Sequence, residues 1–283
     1  MTMTSVRCEI HLLKAGSCLH PEAAALRGGS LCPVDFPALT ALILHPTEGA
    51  LLWDTGYDPA FFRATRRWPE RLYALATPVT LGEDEPAARQ IGRHGLTPDD
   101  IRGVIVSHFH GDHVAGLPAF PRARIYCARA GLDQIRRVGR FAGVRQGLLP
   151  GLLPPDTEAR AVFFEDRPRR ALPSDLSPFE TGADLLGDGS LLAVDLPGHC
   201  VGHWGLAARG SDDRLRFFVG DAAWSLRAIR ENRPPPALTT ALLGRTDRYR
   251  RTLADLHALE TRTRDVVLVP SHCREAAAAA EVP

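Results

Sequence analysis

The chain alternates short apolar runs with turn residues, and this pattern predicts its strands. In the N-terminal third, apolar and polar residues alternate, and Pro and Gly interrupt the runs, which is typical of hairpins. The strands predicted for this third are Glu9–Leu13, Leu39–His45 and Ala50–Asp54, with a turn at Pro46–Gly49 between the last two. The pattern therefore predicts that the chain begins with a hairpin-rich sheet.

Continuous apolar runs mark the later strands, since a strand buried on both faces needs no polar alternation. These predicted strands are Gly103–Ser107, Ala123–Ala128, Leu191–Leu196, His203–Ala208, Leu215–Val219 and Val266–Pro270. Apolar residues at helical spacing predict helices over Glu85–His94, which Gly95 ends, and over Asp247–Arg262. Strands in two groups, each followed by helices, predict two sheets packed face to face with helices outside.

Residues 147–179 depart from this pattern because they are rich in Pro and Arg. Such a stretch favours an irregular insertion or lid over a linker between domains. A chain of 283 residues can bury one substantial core. A single layered domain over residues 1–283 is therefore the simplest organisation.

The composition excludes several classes of partner. The net charge is only +1, so no strong field steers the protein to nucleic acid or anionic lipid. No apolar run approaches the roughly 20 residues of a membrane span, and residues 1–17 hold no signal-peptide pattern. The six cysteines lie far apart without a CxxC pair, which favours free thiols in a reducing compartment. We expect a cytoplasmic protein that acts on a small molecule.

One segment concentrates metal-binding side chains. Ser107–His113 reads S-H-F-H-G-D-H directly after a predicted buried strand. Side chains two apart on an extended segment point the same way, so His108 and His110 can hold one ion. Asp112 and His113, turned by the following loop, can face a second. Imidazole and carboxylate at this density suit zinc and similar divalent ions.

Three later strands each end in a further candidate ligand. These are His199 in LPGHCVGH, Asp221 in FFVGD and His272 in VVLVPSH. Each residue alone is more often a cap or turn residue, but with the first cluster they complete a set of seven donors. Cys200 and Cys273 follow two of them directly. Because neighbours on a strand face opposite ways, we expect neither thiol to coordinate.

The seven donors resemble, in their order, the HxHxDH, His, Asp, His series of the metallo-β-lactamase superfamily. W-D-T-G at residues 53–56 resembles the aspartate turn that precedes this series. The resemblance implies an αββα sandwich of two mainly antiparallel sheets, and two divalent metal ions, zinc first, with iron and manganese as alternatives. The implied metal ligands are His108, His110 and His199 for one ion, Asp112, His113 and His272 for the other, and Asp221 as the bridge.

The same resemblance implies roles for the surrounding residues. Asp54 would orient ligands from behind, and His203, in the PGHxxGH turn, would support the site without binding metal. A hydroxide bridging the metals would attack a lactone or carboxylic ester carbonyl, with Asp112 and Asp221 as catalytic residues and Asp112 as proton acceptor. A cysteine replaces Asp221 in the best-known true β-lactamases, which disfavours a β-lactam substrate.

Within the superfamily, G-D-A-A-W at residues 220–224 is most similar to N-acyl homoserine lactonases, in which a tyrosine commonly stands where this chain has Trp224. Indole N–H donates a hydrogen bond but does not ionise usefully. A thioesterase therefore remains an alternative, since thiolates leave without an acid. Less favoured are a phosphodiesterase using the arginines at 66–71 or 167–170, and a catalytically idle ligand-binding regulatory member.

Aromatic residues near these motifs are candidates for the substrate pocket. Trp224 lies next to the predicted bridge, and Phe61 and Trp68 lie in an aromatic segment after the W-D-T-G turn. Such residues are as often ordinary core or a dimer contact, so a homodimer stays open. The sequence leaves the acyl group open.

Overall fold

A computed structural model describes residues 6–280. Residues 1–5 and 281–283, the ends of the predicted domain, lie outside the described residues. The strands of the described part are β1 (Glu9–Pro21), β2 (Pro33–His45), β3 (Gly49–Trp53), β4 (Val79–Thr80), β5 (Ile101–Ile105), β6 (Arg124–Cys127), β7 (Ala161–Phe163), β8 (Arg169–Ala171), β9 (Thr181–Asp184), β10 (Leu191–Asp195), β11 (Trp204–Arg209), β12 (Leu215–Gly220) and β13 (Val266–Pro270).

Mostly short α-helices connect these strands. They are α1 (Glu22–Ala25), α2 (Pro59–Ala64), α3 (Arg71–Ala76), α4 (Ala87–Gln90), α5 (Gly111–Val114), α6 (Arg129–Arg137), α7 (Arg140–Arg145), α8 (Thr157–Arg160), α9 (Leu226–Arg230), α10 (Ala237–Leu243), α11 (Thr246–Arg262) and α12 (Arg274–Ala280). The predicted helix at Glu85–His94 is α4 followed by a 3₁₀ turn at Ile91–His94.

The strands form two sheets. The first has the order β4-β1-β2-β3-β5-β6-β7 and the second β13-β12-β11-β10-β9-β8. The first sheet is antiparallel from β4 to β3 and parallel from β3 to β7. The second is antiparallel except for the parallel pair of β12 and β13. The predicted αββα fold is confirmed, with both sheets mixed.

Side chains on the two faces of the first sheet belong to two different hydrophobic cores. On β5, Ile105 belongs to the core shared with the second sheet, whereas Val104 belongs to the core beneath the helices of the first sheet. On β2, Ile43 and Leu42 divide in the same way. Because the central strands such as β5 are covered on both faces, their polar groups collect at their ends, where the candidate ligands begin.

The first two strands are longer than the pattern predicts. The prediction ends the first strand at Leu13, but β1 continues to Pro21 and pairs with β2 almost throughout. A register shift between Lys14 and Ser17 allows the strand to pass the irregular K-A-G-S segment. The extension carries Cys18 and His20 to the cavity described below.

Residues 147–179, predicted as an irregular Pro- and Arg-rich insertion, contribute to both sheets. Strand β7 pairs with β6 at one edge of the first sheet, and β8 pairs with β9 at one edge of the second. The start of the segment contacts the candidate metal centre, since the backbone N–H of Gly111 donates to the carbonyl of Gly147. The segment therefore adds an edge strand to each sheet, and its first residue lies beside the candidate centre.

Candidate metal centre and its cavity

The seven predicted ligands all lie at strand ends. His108, His110, Asp112 and His113 follow β5 of the first sheet, and the other three follow strands of the second. Since β12 and β13 are parallel and Gly220 pairs with Pro270, Asp221 and His272 leave the sheet side by side. Both sheets therefore supply the candidate centre.

Three imidazoles form the first part of the centre. Nδ1 of His110 lies 3.0 Å from Nε2 of His108 and 3.0 Å from Nε2 of His199. All three side chains are buried. Three ring nitrogens thus converge on one point, as a metal site of imidazole ligands requires.

Asp221 lies between this group and a second one. Its Oδ2 is 3.3 Å from Nε2 of His199, and its Oδ1 is 3.5 Å from Nε2 of His113 and 3.3 Å from Nε2 of His272. Oδ2 of Asp112 lies 3.3 Å from the same nitrogen of His272. The two oxygens of Asp221 therefore face two different donor sets.

Some buried polar atoms of the candidate centre have no hydrogen-bond partner, and they indicate whether these residues fit metal ions. Nε2 of His113 and Oδ1 of Asp221 are buried and have no hydrogen-bond partner among the described residues. Leaving such an atom unpaired costs about 1–3 kcal/mol, so a native structure needs a reason for it. Two divalent cations would satisfy these atoms, and five imidazoles with two carboxylates are suitable ligands. The residues fit a dinuclear centre.

Asp54 holds the second donor set from behind. Its Oδ1 accepts the backbone N–H of Ser107 at 2.7 Å, and its Oδ2 accepts the Ser107 hydroxyl at 2.7 Å. Nδ1–H of His113 donates to Oδ2 at 2.8 Å, which leaves Nε2 free to face Asp221. Asp54 itself has a positive φ of 54°, which turns the carboxylate under the site. The contacts give Asp54 a ligand-orienting position, and Ser107 is a participant that the motif did not reveal.

His203 fixes the backbone of Asp221, the candidate bridging residue. Its Nδ1–H donates to the carbonyl of Leu196 at 2.9 Å, and its Nε2 accepts the backbone N–H of Asp221 at 2.9 Å. Both ring nitrogens are occupied. Gly220 has φ 53°, and a Cβ there would lie 2.8 Å from Nε2 of His203, so this close approach needs glycine.

Burial sets the charge of most of these histidines. It lowers the pKa of His110 to about 4 and that of His108 and His199 well below its usual range, so these rings are neutral. Burial also opposes protonation of His272, but the nearby carboxylates, with Asp221 first, outweigh it and raise its pKa to about 9. The metal-free centre therefore balances its carboxylates with protons.

A cavity of about 620 Å³ opens above the centre. Five of the candidate ligands lie on its wall, namely His110, Asp112, His199, Asp221 and His272. The remaining wall is mainly apolar and comes from distant elements, including Phe36, Leu72, Val144, Leu238, Leu242 and Leu243. A substrate in this cavity would place its reactive group against the ligands and its apolar part against α3, α7 and α10.

Of the three predicted pocket residues, the structure places one at the cavity and two away from it. Trp224 lines the cavity, and its Nε1–H donates to Oδ2 of Asp221 at 3.0 Å. Phe61 does not line it, because its ring is fully buried between Tyr57 and Tyr73. Trp68 lies at the surface, 60% exposed, and does not line it either. An aromatic-rich sequence marked the neighbourhood of the cavity without showing which rings face it.

The expectation that Cys200 does not coordinate stays a prediction, but the strand geometry on which it rested does not hold. Its sulfur groups with the ring nitrogens of His108, His110 and His199, all within 4.8 Å of one another. The strand rule fails because residues 197–202 form turns and bends rather than a strand. Cys273 belongs to none of the clusters found among the described residues.

Comparison with known proteins decides the family. A sequence profile described as the metallo-beta-lactamase superfamily matches residues 34–272. The chain belongs to the metallo-β-lactamase superfamily. The match covers all seven candidate ligands and Asp54, and it confirms the resemblance drawn from the motifs.

Characterised relatives are lactonases. The chain is 27% identical over 250 residues to the N-acyl homoserine lactonase AiiB of Agrobacterium fabrum, covering 86% of this chain and 81% of that protein. It is 25% identical over 252 residues to the N-acyl homoserine lactonase AttM of Azorhizobium caulinodans, covering 89% and 86%. This superfamily member is thus an enzyme of the metal-dependent, lactonase-like hydrolase class.

Solved structures share the fold. An N-acyl homoserine lactone hydrolase with N-hexanoyl-L-homoserine bound at its catalytic metal center superposes with a TM-score of 0.73 at 15% identity, covering 98% of this chain and 97% of that one. The dizinc quorum-quenching lactonase AidC gives 0.59 at 14% identity, with 97% and 90% covered. In the part of this chain that the structure describes, no helix is long and apolar enough to cross a membrane.

Proposed function

We propose that this superfamily member hydrolyses lactones or carboxylic esters with an apolar acyl group, and that two divalent metal ions, zinc first, serve the reaction. The observation that carries the proposal is the position of Asp221, whose two oxygens face two donor sets at the wall of an apolar cavity. The lactonase relatives support the same substrate class.

When bound, the two metals would supply an activated water and polarise the substrate carbonyl. The seven donors would hold them as the resemblance implies. Asp112 reaches the cavity and lies beside His272, where it can accept a proton as the carbonyl is attacked. His203 and Trp224 fix the backbone and the carboxylate of Asp221, so the bridge keeps its orientation. Asp54 does the same for His113.

The cavity wall describes the rest of the substrate. Apolar side chains on α3, α7 and α10 suit an acyl chain, whose burial contributes about 0.8 kcal/mol per methylene. Arg145 also lines the cavity, and it forms no ion pair with any of the described residues. The arginines at 66–71 and 167–170 do not line it, so a phosphodiester substrate lacks the cationic site that the sequence offered.

A thioester is the second candidate, and Trp224 favours it. Because the indole N–H donates to Asp221, it is already engaged and does not offer an acid to a departing alkoxide. A thiolate leaves without such help. The six cysteines are all free, which suits the cytoplasm proposed from the sequence.

The test is a substrate panel with metal analysis. The purified zinc-loaded chain should contain about two metals and should hydrolyse N-acyl lactones, with thioesters and phosphodiesters assayed beside them. Asp221→Ala should lose metal and activity together, whereas Asp255→Ala, on the exposed side of α11, should keep both. Full activity after complete metal removal, or no hydrolysis of any ester by the two-metal protein, would contradict the proposal.

A further inference from the structure

Cys200 lies at the three-histidine part of the centre. Its Sγ and the ring nitrogens of His108, His110 and His199 lie within 4.8 Å of one another, and His108 is shared with the neighbouring cluster that contains Asp221. The turn at residues 197–202 brings the thiol and the imidazole of adjacent residues to the same point. Imidazole nitrogen and thiolate sulfur are both ligands that zinc takes in proteins.

The thiol has no other engagement that explains its position. No hydrogen bond to Cys200 occurs among the described residues, and the residue does not line the cavity. Cys273 is a useful comparison, because it also directly follows a candidate ligand in the sequence. Its Sγ accepts the backbone N–H of Leu226 at 3.4 Å, and it lies outside the donor clusters of the described chain.

We propose that Cys200 is a further protein donor, beside one oxygen of Asp221, for the metal ion held by His108, His110 and His199. Binding breaks the S–H bond, the sulfur lone pair goes to the metal, and the proton goes to solvent. Before metal binds, burial raises the pKa of this thiol well above its usual range, so the sulfur is protonated. A coordinating cation deprotonates a thiol outright.

A sulfur donor would make the two positions of the centre unequal. The position with Cys200 would prefer zinc, cobalt or cadmium, because thiolate is a soft ligand, whereas the position with Asp112, His113 and His272 has only nitrogen and oxygen donors. The inference rests on metal binding under the proposed function but not on the substrate class. Its failure can therefore be told from failure of the lactonase proposal.

Cobalt substitution tests the inference directly. The full-length metal-free chain is titrated with Co²⁺, and its near-ultraviolet absorption is recorded. We expect a thiolate-to-cobalt charge-transfer band in the natural chain and in Cys273→Ala, and no such band in Cys200→Ala. Cys200→Ala should also bind one of its two ions about 10- to 100-fold more weakly, while the other affinity stays unchanged.

X-ray absorption of the zinc-loaded natural chain covers the case in which Cys200→Ala fails to fold. Only one of the two zinc ions would have a sulfur neighbour. The spectrum should therefore show about half a sulfur per zinc, at about 2.3 Å. A two-metal chain with only nitrogen and oxygen neighbours overturns the inference, and so does a cobalt band that persists in Cys200→Ala or disappears in Cys273→Ala. The lactone assay on the natural chain is unaffected by either result.

Discussion

At the scale of single residues, Asp221 is held by two partners outside the seven candidate ligands. His203 accepts its backbone N–H, and the Trp224 indole donates to Oδ2, the oxygen that faces His199. The resemblance to lactonases directs attention to Trp224 as a neighbour of the leaving group. The hydrogen bond instead gives it a task on the bridging carboxylate.

Trp224→Phe should therefore weaken the centre rather than one class of reaction. A hydrogen bond to a charged group contributes about 1.5–3 kcal/mol, so we expect metal affinity to fall roughly tenfold or more. The values of kcat/KM for a lactone and a thioester should fall together. Metal titration and the ratio of the two kcat/KM values check this. A loss confined to the lactone would show that Trp224 acts on the leaving alkoxide.

The charges of the metal-free centre predict proton release on metal binding. The pKa of His272 is about 9, raised above its ordinary value, so the ring is protonated at pH 7.5 and must lose its proton to bind metal. Apparent affinity should therefore increase as pH rises toward 9. Calorimetric titration of the metal-free chain with zinc, in buffers of different ionisation enthalpy, measures the protons released. A binding heat independent of the buffer would contradict the expectation, and His11→Gln, far from the centre, is the control.

At the scale of elements, the segment at 147–179 positions a ligand. Gly147 has φ 74°, and a Cβ there would lie 3.0 Å from Cδ2 of His110. Gly147→Ala should therefore displace the imidazole and strain the backbone, lowering metal content and kcat/KM by about tenfold or more. Gly151→Ala is the matched control, since nothing lies within 4 Å of its position and its φ is ordinary. Equal activity of the two variants would remove this role from the segment.

A second prediction at this scale concerns helix α10. Leu242 lines the cavity although it is 47% exposed. Leu242→Ser should lower kcat/KM for long-chain acyl esters several-fold and leave short-chain esters nearly unchanged, because only long chains reach this side chain. Leu31→Ser, at an exposed position outside the cavity, should change neither. The dependence of kcat/KM on chain length in the two variants is the measurement.

The sequence predicted the elements that end in ligands and missed the contacts that support them. Buried runs such as Gly103–Ser107 and Val266–Pro270 are locally decisive, and the motif residues follow them directly. The approach of Gly147 to His110, and of Cys200 to the same ring, depends on how turns fold in three dimensions. The aromatic-rich sequence led to the prediction that Phe61 and Trp68 line the pocket. Only the packing shows that the Phe61 ring lies in the core and the Trp68 ring at the surface.

At the scale of the molecule, the candidate centre lies between two sheets that also meet through a shared apolar core and a few hydrogen bonds. His108 and His113 belong to the first sheet, whereas Asp221 and His272 belong to the second. Metal ions bound between them stabilise the folded chain over the unfolded one by mass action.

Removing metal should therefore lower the stability of the whole domain. At free zinc 100-fold above the dissociation constant, each ion would add about 2.7 kcal/mol to the free energy of unfolding. Thermal unfolding followed by circular dichroism should show a lower Tm after chelation, restored by zinc. Asp221→Ala should respond to zinc much less. An identical Tm with and without metal would mean that the sheets hold together without help from the centre.

The position of the ligands along the chain also orders events during synthesis. His108, His110, Asp112 and His113 leave the ribosome first, then His199 and Asp221, and His272 leaves last, after β13. A nascent chain that ends before β13 contains all three histidines of the first position but lacks His272, a candidate donor for the second ion. If the centre takes two metals as proposed, loading of the second ion would wait for β13 to dock in parallel beside β12, and this late strand would then determine when the folded chain becomes a competent enzyme.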